Sequence, residues 1–218
     1  MLSVSNSANS TSKSGTFVTK VSNEASASFD GTNDFIDASL LGSSGALSKT
    51  NGTISHWVKI TTSANNEILF SCSDGTSGND KIQTVFMTNT SSGQFQAVYK
   101  SGGVANKAVY NFPSADIVNA GWFHLAMTYT ISDEALVIKL YYNGALQNTF
   151  SGTTEAIGNS VDFDRVILGR NANADNSYLT GFMDEVVYYP IVLSDAQIEQ
   201  IYLQKGITNF LNFSDDLS

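Results

Sequence analysis

Twelve short segments that read as strands, each closed by turn residues, constrain this chain more than any other feature of its sequence. They run over 25–29, 34–38, 52–60, 67–72, 81–88, 94–100, 106–112, 122–131, 135–143, 145–150, 165–170 and 180–189. Several alternate with period two. In TISHWVKI, Ile54, His56, Val58 and Ile60 share one face, and Ser55, Trp57 and Lys59 share the other. In WFHLAMTY, Phe123, Leu125, Met127 and Tyr129 face one way, opposite Trp122, His124, Ala126 and Thr128. Successive side chains of a strand point to opposite faces, so such runs predict half-buried antiparallel strands. Asn143-Gly144 lies between VIKLYY and ALQNTF. Asn-Gly suits a two-residue hairpin turn, because both central residues need positive φ.

Composition excludes a helix bundle. The chain holds 29 Ser, 19 Thr and 20 Asn but only 14% charged residues. Helix surfaces are usually filled with Glu, Lys, Gln and Arg. One helix is predicted, near 194–204. Ser194 precedes DAQIEQIYLQK, Gln197 follows at capping-box spacing, and Ile198, Ile201 and Tyr202 form an apolar stripe. The expected fold is all-β, a sandwich of two antiparallel sheets with one short C-terminal helix. A chain of 218 residues fits one such domain and needs no disulfide or metal to complete its core. The expected division is a polar N-terminal arm over 1–23, the domain over 24–204 and a tail over 205–218. The tail carries Phe210, Leu211 and Phe213.

Net charge is −9, from 11 basic and 20 acidic residues, and no basic run occurs. Nucleic acid is not an expected partner, since tight binding requires clustered Lys and Arg that displace counterions. The single cysteine, Cys72, rules out an internal disulfide and reads as a small buried strand residue. No apolar stretch reaches the roughly 18 residues of a membrane span. The start, MLSVSNSANSTSKSGTF, lacks the apolar core of a secretory signal peptide, so export by the usual route is not expected.

The segments ASFDGTNDFI, TISHWVKI, GWFHLAMTYT, LYYNGALQNT and ILGRNANADNSYLTGFMDEVVYYPIVLSDAQIEQIY follow one another over roughly residues 25–204. In this order and spacing they resemble the laminin-G-like branch of the concanavalin A-like lectin/glucanase superfamily. The resemblance implies a jelly-roll sandwich with one concave and one convex sheet. The chain departs from the family pattern at Val187, where an Arg is usual, and at Tyr189-Pro190-Ile191, which replaces Tyr-Asn-Arg. The resemblance also implies a structural calcium held by Asp184, with Asp30 and Gly31, then Asn33 or Asp34, as partners. Alternatively, Asp184 caps backbone N–H groups without metal. The loops Asn171–Asp175 and Asp74–Asp80 alternate oxygen donors but lack the rest of a calcium-binding loop.

Glycoside hydrolysis needs two carboxylates roughly 5–9.5 Å apart. The glucanase relatives supply theirs as Glu-x-Asp-x-Glu on one strand, and this chain has no such run. Asp162 and Asp164 alternate, but they read as a solvated strand edge. His56 and His124 stand on different strands, and no Gly-x-Ser-x-Gly elbow is present. No catalytic residue is assigned. Stacking on sugar rings could use Trp57, Trp122, Tyr99, Tyr110, Tyr178 or Tyr188, with the loop 171–180 as the expected site of recognition.

The expectation is a non-enzymatic structural or surface protein of a virus particle, such as a phage capsid decoration, fibre or adhesin. Its partners would be other virion proteins or copies of itself in a homo-oligomer, and glycans. The alternative is a free-standing carbohydrate-binding lectin module of a secreted, extracellular protein.

Overall fold

The computed structural model describes residues 26–62, 66–75, 78–88, 93–112, 117–118, 120–158 and 163–204. The arm over 1–23 and the tail over 205–218 lie outside the described residues, as does Asp162.

Among the described residues twelve strands form: β1 (Ala27–Asp30), β2 (Ile36–Asp37), β3 (Asn51–Ile60), β4 (Glu67–Ser73), β5 (Lys81–Thr88), β6 (Gly93–Ser101), β7 (Val104–Phe112), β8 (Phe123–Ser132), β9 (Ala135–Tyr142), β10 (Ala145–Thr153), β11 (Arg165–Leu168) and β12 (Thr180–Tyr189). They pair antiparallel into two six-stranded sheets. Sheet A runs β1-β12-β3-β8-β9-β10, and sheet B runs β2-β11-β4-β5-β6-β7. The two are stacked as a sandwich. Ile54, Val58, Ile60, Phe123, Leu125 and Met127 of sheet A meet Cys72, Ile82, Phe86, Phe95 and Tyr99 of sheet B in one buried cluster. His56 shares that inner face, and its Nε2 lies 3.0 Å from the Thr84 hydroxyl across the core. A one-turn helix, α1 (Ser39–Ser43), follows β2 and packs by β11.

Turn chemistry follows backbone geometry. Asn143 (φ 49°) and Gly144 (φ 78°) close the β9–β10 hairpin with two positive φ angles, as its sequence demands. Asp133 (φ 48°) and Glu134 (φ 66°) make the same kind of turn between β8 and β9 with no glycine.

The expectation of half-buried strands is corrected for sheet A. The outer side of β3 is also covered: Ser55 and Trp57 are buried although they point away from the sandwich core. The cover is α2 (Asp195–Leu203), which packs Ile198 against Ala126, Tyr141, Val187 and Tyr189. The Ser194 hydroxyl accepts from the Gln197 N–H, and the Gln197 side chain accepts from the Ser194 N–H, completing the capping box. Asp195 Oδ1 then anchors the first turn by accepting from Lys139 (2.8 Å) and the Tyr141 hydroxyl (2.7 Å). Among the described residues, no helix is long and apolar enough to cross a membrane.

Truncation of Ile198 to Ala should cost about 2–5 kcal/mol through lost burial and the cavity left behind. Ser194→Ala should cost about 1 kcal/mol through loss of the cap. Urea unfolding monitored by tryptophan fluorescence measures both, and equal stabilities would refute this account of the outer face.

Candidate functional site

The resemblance placed a metal on Asp184, Asp30 and Gly31. β1 and β12 are neighbours, as that reading requires, and Asp30 pairs with Thr180 while Ala27 pairs with Met183. Asp184 therefore lies four residues along β12 from the partner of Asp30, about 13 Å at strand rise. One cation with ligand distances of about 2.3–2.6 Å cannot bridge that gap. Each carboxylate instead serves its own backbone. Asp30 Oδ1 accepts from the N–H groups of Thr32 (2.8 Å) and Asn33 (3.3 Å), and Asp34 Oδ2 accepts from the Asp30 N–H. Asp184 Oδ1 accepts from the Glu185 N–H at 2.8 Å, where β12 bulges and Glu185 has φ 46°. Gly31 turns at φ 80°, and a Cβ there would meet the Thr180 hydroxyl. Among the described residues, no three His, Cys, Asp or Glu side chains gather where they could hold a metal ion.

The aromatic candidates separate. Tyr99 and Tyr188 belong to the core, where their hydroxyls meet backbone groups of Lys49 and Ser48. Tyr110 packs against Phe112 and Tyr142. Trp57 and Trp122 share a cleft of about 290 Å³ on the outer side of sheet A with Tyr202 and Leu203 of α2. Tyr178 is partly exposed on the loop after β11. That loop leans on sheet B: the Ala172 N–H donates to Ser71 Oγ (3.2 Å), and Arg165 donates to the Ala172 carbonyl (3.3 Å). Arg170 holds it through an ion pair to Asp175 at 2.9 Å and lies 4.0 Å over the Phe35 ring.

Among the described residues no helix packs on the outer side of sheet B, although Ser71, Ser73, Ile167 and Gln83 there are buried, and its register collects residues that are far apart in sequence. One row across β11, β4, β5 and β6 reads Arg165, Ser73, Lys81, Lys100. The next row places Ile167, Ser71, Gln83, Val98 and Lys107 side by side. Gln83 donates to Ser71, and further along Gln96 donates to Gln94 and Gln94 to Asn111. Between these ends lies a small apolar strip of Ile68, Val85 and Val98. Four of the eleven basic residues thus converge on one face. Lys81 and Lys100 stand directly opposite each other, an arrangement that destabilises a sheet. Burial and the Lys100 charge both hold the Lys81 ammonium below its usual pKa. Asp80, the nearest acid by sequence, accepts the Gly102 N–H. Lys100 donates to the Gly78 carbonyl, close to the side chain of Asn173, whose amide O and N are buried without hydrogen-bond partners. Within any single segment these cations stand isolated. The polar–apolar alternation of 81–88, 94–100 and 106–112 places the one lysine of each on the outer face, and pairing register joins them.

This architecture, two antiparallel six-stranded sheets stacked as a sandwich with a helix behind one of them, defines a lectin-like β-sandwich. The Laminin_G_3 pattern, described as Concanavalin A-like lectin/glucanases superfamily, matches residues 30–199, and the chain belongs to that family. Among solved structures it is similar to the CBM40 of the Ruminococcus gnavus IT-sialidase, with 19% identity, TM-score 0.63, and coverage of 82% of this chain and 97% of that one. The same module bound to α2,3-sialyllactose gives TM-score 0.61 at 19% identity, covering 86% and 100%. Domain 4 of AbnA, an arabinanase from Geobacillus stearothermophilus in complex with arabinotriose, gives 0.55 at 17% identity, covering 86% and 82%. These likenesses show the shared fold. No curated protein sequence matches the chain.

Three buried groups make stability depend on pH. Burial lowers His56 to about 3, with the His124 charge adding to it, and burial lowers His124 to about 4. Unfolded, both take up protons near 6.5. Their contribution is therefore complete above that pH and is lost as pH falls through 6.5 toward 4. Glu67 acts in the opposite sense. It is 1% exposed, and burial raises it to about 8 against the opposing pull of hydrogen bonding from Thr180. Its contribution is present below about 4.5 and is lost as pH rises toward 8. Stability should thus fall between pH 6.5 and 8, by at most about 1.4 kcal/mol per unit. Glu67→Gln should flatten that slope in urea titrations, and identical slopes in the two proteins would refute the assignment.

Proposed function

We propose that this chain is a non-enzymatic carbohydrate-binding module that takes an acidic saccharide on the outer face of sheet B. The carrying observation is the row Arg165, Ser73, Lys81, Lys100, with Lys107 beside it. A fold does not retain two directly opposed lysines for its own stability. A carboxylate laid between Lys81 and Lys100, both partly exposed, relieves their repulsion, and the exposed Arg165 and Lys107 flank them. The R. gnavus module, which shares this fold, was solved with sialyllactose, an acidic glycan. The expected setting on a virus particle draws no support from the fold or from the proteins it resembles. Of the alternative, a free-standing carbohydrate-binding lectin module of a secreted protein, the carbohydrate-binding part is the reading they favour.

Isothermal titration with sialyllactose and lactose tests the site. Sialyllactose should bind at least about tenfold tighter, since the charge contacts are absent from lactose. The Lys81→Ala/Lys100→Ala variant should lose that preference, and raising salt to about 0.5 M should weaken wild-type binding. Equal affinity for the two sugars, or an unchanged preference in the double variant, would refute the proposal.

A further inference from the structure

The opposite side of the molecule carries a second arrangement that the sheet B site does not use. Trp57 stacks on Tyr202 with ring centroids 5.7 Å apart and planes 23° from parallel. His124 tilts against Trp57 at 5.4 Å and supports the pair from beneath, with its Nε2 2.8 Å from the Ser55 hydroxyl. Trp122 stands against Phe182 at 6.3 Å, and the Lys59 ammonium lies 5.8 Å from the centre of the Phe182 ring. Asp184 is the direct β12 partner of Trp57, so its carboxyl borders the same face. Trp122 and Tyr202 are partly exposed, and Leu203 at the rim is 66% exposed. Trp57 forms the floor.

We infer that this cleft is a second binding site, for one ring of a neutral saccharide. Three features select that chemistry. The walls are rings whose flat apolar faces match the C–H face of a pyranose or furanose and whose N–H and O–H groups can reach its hydroxyls. The volume, about 290 Å³, is at the small end of ligand pockets and admits a single sugar unit better than an extended chain. The margin pairs an acid, Asp184, with a base, Lys59, which gives hydrogen-bonding groups of both kinds without a net charge to attract an ion. Asp184 disfavours the acidic sugars proposed for sheet B, and Lys59 disfavours an organic cation. The site stands independently of that proposal, because the two sets share no residue and lie on opposite faces of the sandwich.

The chain has two tryptophans, and both line the cleft, so intrinsic fluorescence reports on it alone. Full-length protein is titrated with neutral di- and trisaccharides of galactose, glucose, mannose and arabinose. At least one should produce a saturable tryptophan change. Trp122→Ala should weaken that binding at least about tenfold by calorimetry, as expected for loss of a stacking ring. Leu203→Glu, at an exposed position, should weaken it as well without disturbing the fold. Lys81→Ala/Lys100→Ala should leave it unchanged, and sialyllactose should bind the sheet B face without a tryptophan signal. No saturable change across the panel overturns the inference, as does neutral-sugar binding that survives both cleft variants. Loss of that binding in the lysine variant would assign both ligands to one site and overturn the inference while sparing the sheet B proposal.

Discussion

Sheet A must be covered on both sides, and the contact that achieves this is the docking of α2 across β3, β8, β9 and β12. β3 sends Ile54, Val58 and Ile60 into the sandwich and Ser55 and Trp57 the other way, yet all five are buried. Without the helix, Trp57, Ala126, Tyr141 and Val187 would face water together, an apolar patch costly to leave open. The capping box fixes where the helix starts, and Asp195 ties that start to Lys139 and Tyr141. Two turns later Tyr202 arrives over Trp57 and shapes the cleft. Fold closure and cleft geometry therefore depend on one polar anchor and one isoleucine.

Period-two alternation made the strands legible in the sequence. The segment predicted over 81–88 is β5 itself, and that over 180–189 is β12. The helix was legible for a different reason, since its cap and stripe are local. Other features lay out of reach because they depend on partners distant in the chain. Burial of Ser55 follows from a helix about 140 residues away. The Asp133-Glu134 turn carries no glycine to mark it, and two residues with positive φ are tolerated there because the flanking β8–β9 ladder demands the turn. The distance between Asp184 and Asp30 is likewise a matter of register: adjacency of first and last strands was readable, the four-residue offset was not.

The two sides of the sandwich divide the work of recognition by chemistry. Sheet B presents cations and amides with no aromatic ring in its rows, and the outer side of sheet A presents rings with one acid and one base at the margin. This division follows from what each face must do for the fold. A face roofed by a helix is already apolar, so leaving its edge unroofed exposes rings. On the outer side of sheet B the buried Ser and Gln side chains satisfy one another and the loop after β11, and the charged groups stand at the partly exposed and exposed positions Lys81, Lys100, Arg165 and Lys107.

A net charge of −9 might be thought to repel an acidic ligand. Range decides the matter. At physiological ionic strength charges more than about 8 Å apart are largely screened from one another in solvent. Lys81 and Lys100 are a cross-strand pair whose Cβ atoms lie about 5 Å apart, while Arg165 stands two strands from Lys81 and three from Lys100, and Lys107 one strand from Lys100 with a two-residue offset. A bound carboxylate would feel the Lys81 and Lys100 charges inside one screening length, whereas Arg165 and Lys107, at about 4.8 Å per strand, lie roughly 10–12 Å away and contribute less. The overall charge slows the approach of an anion and keeps the protein soluble. It does not cancel the local field, and the partial desolvation that depresses the Lys81 pKa also strengthens the attraction a carboxylate would experience there.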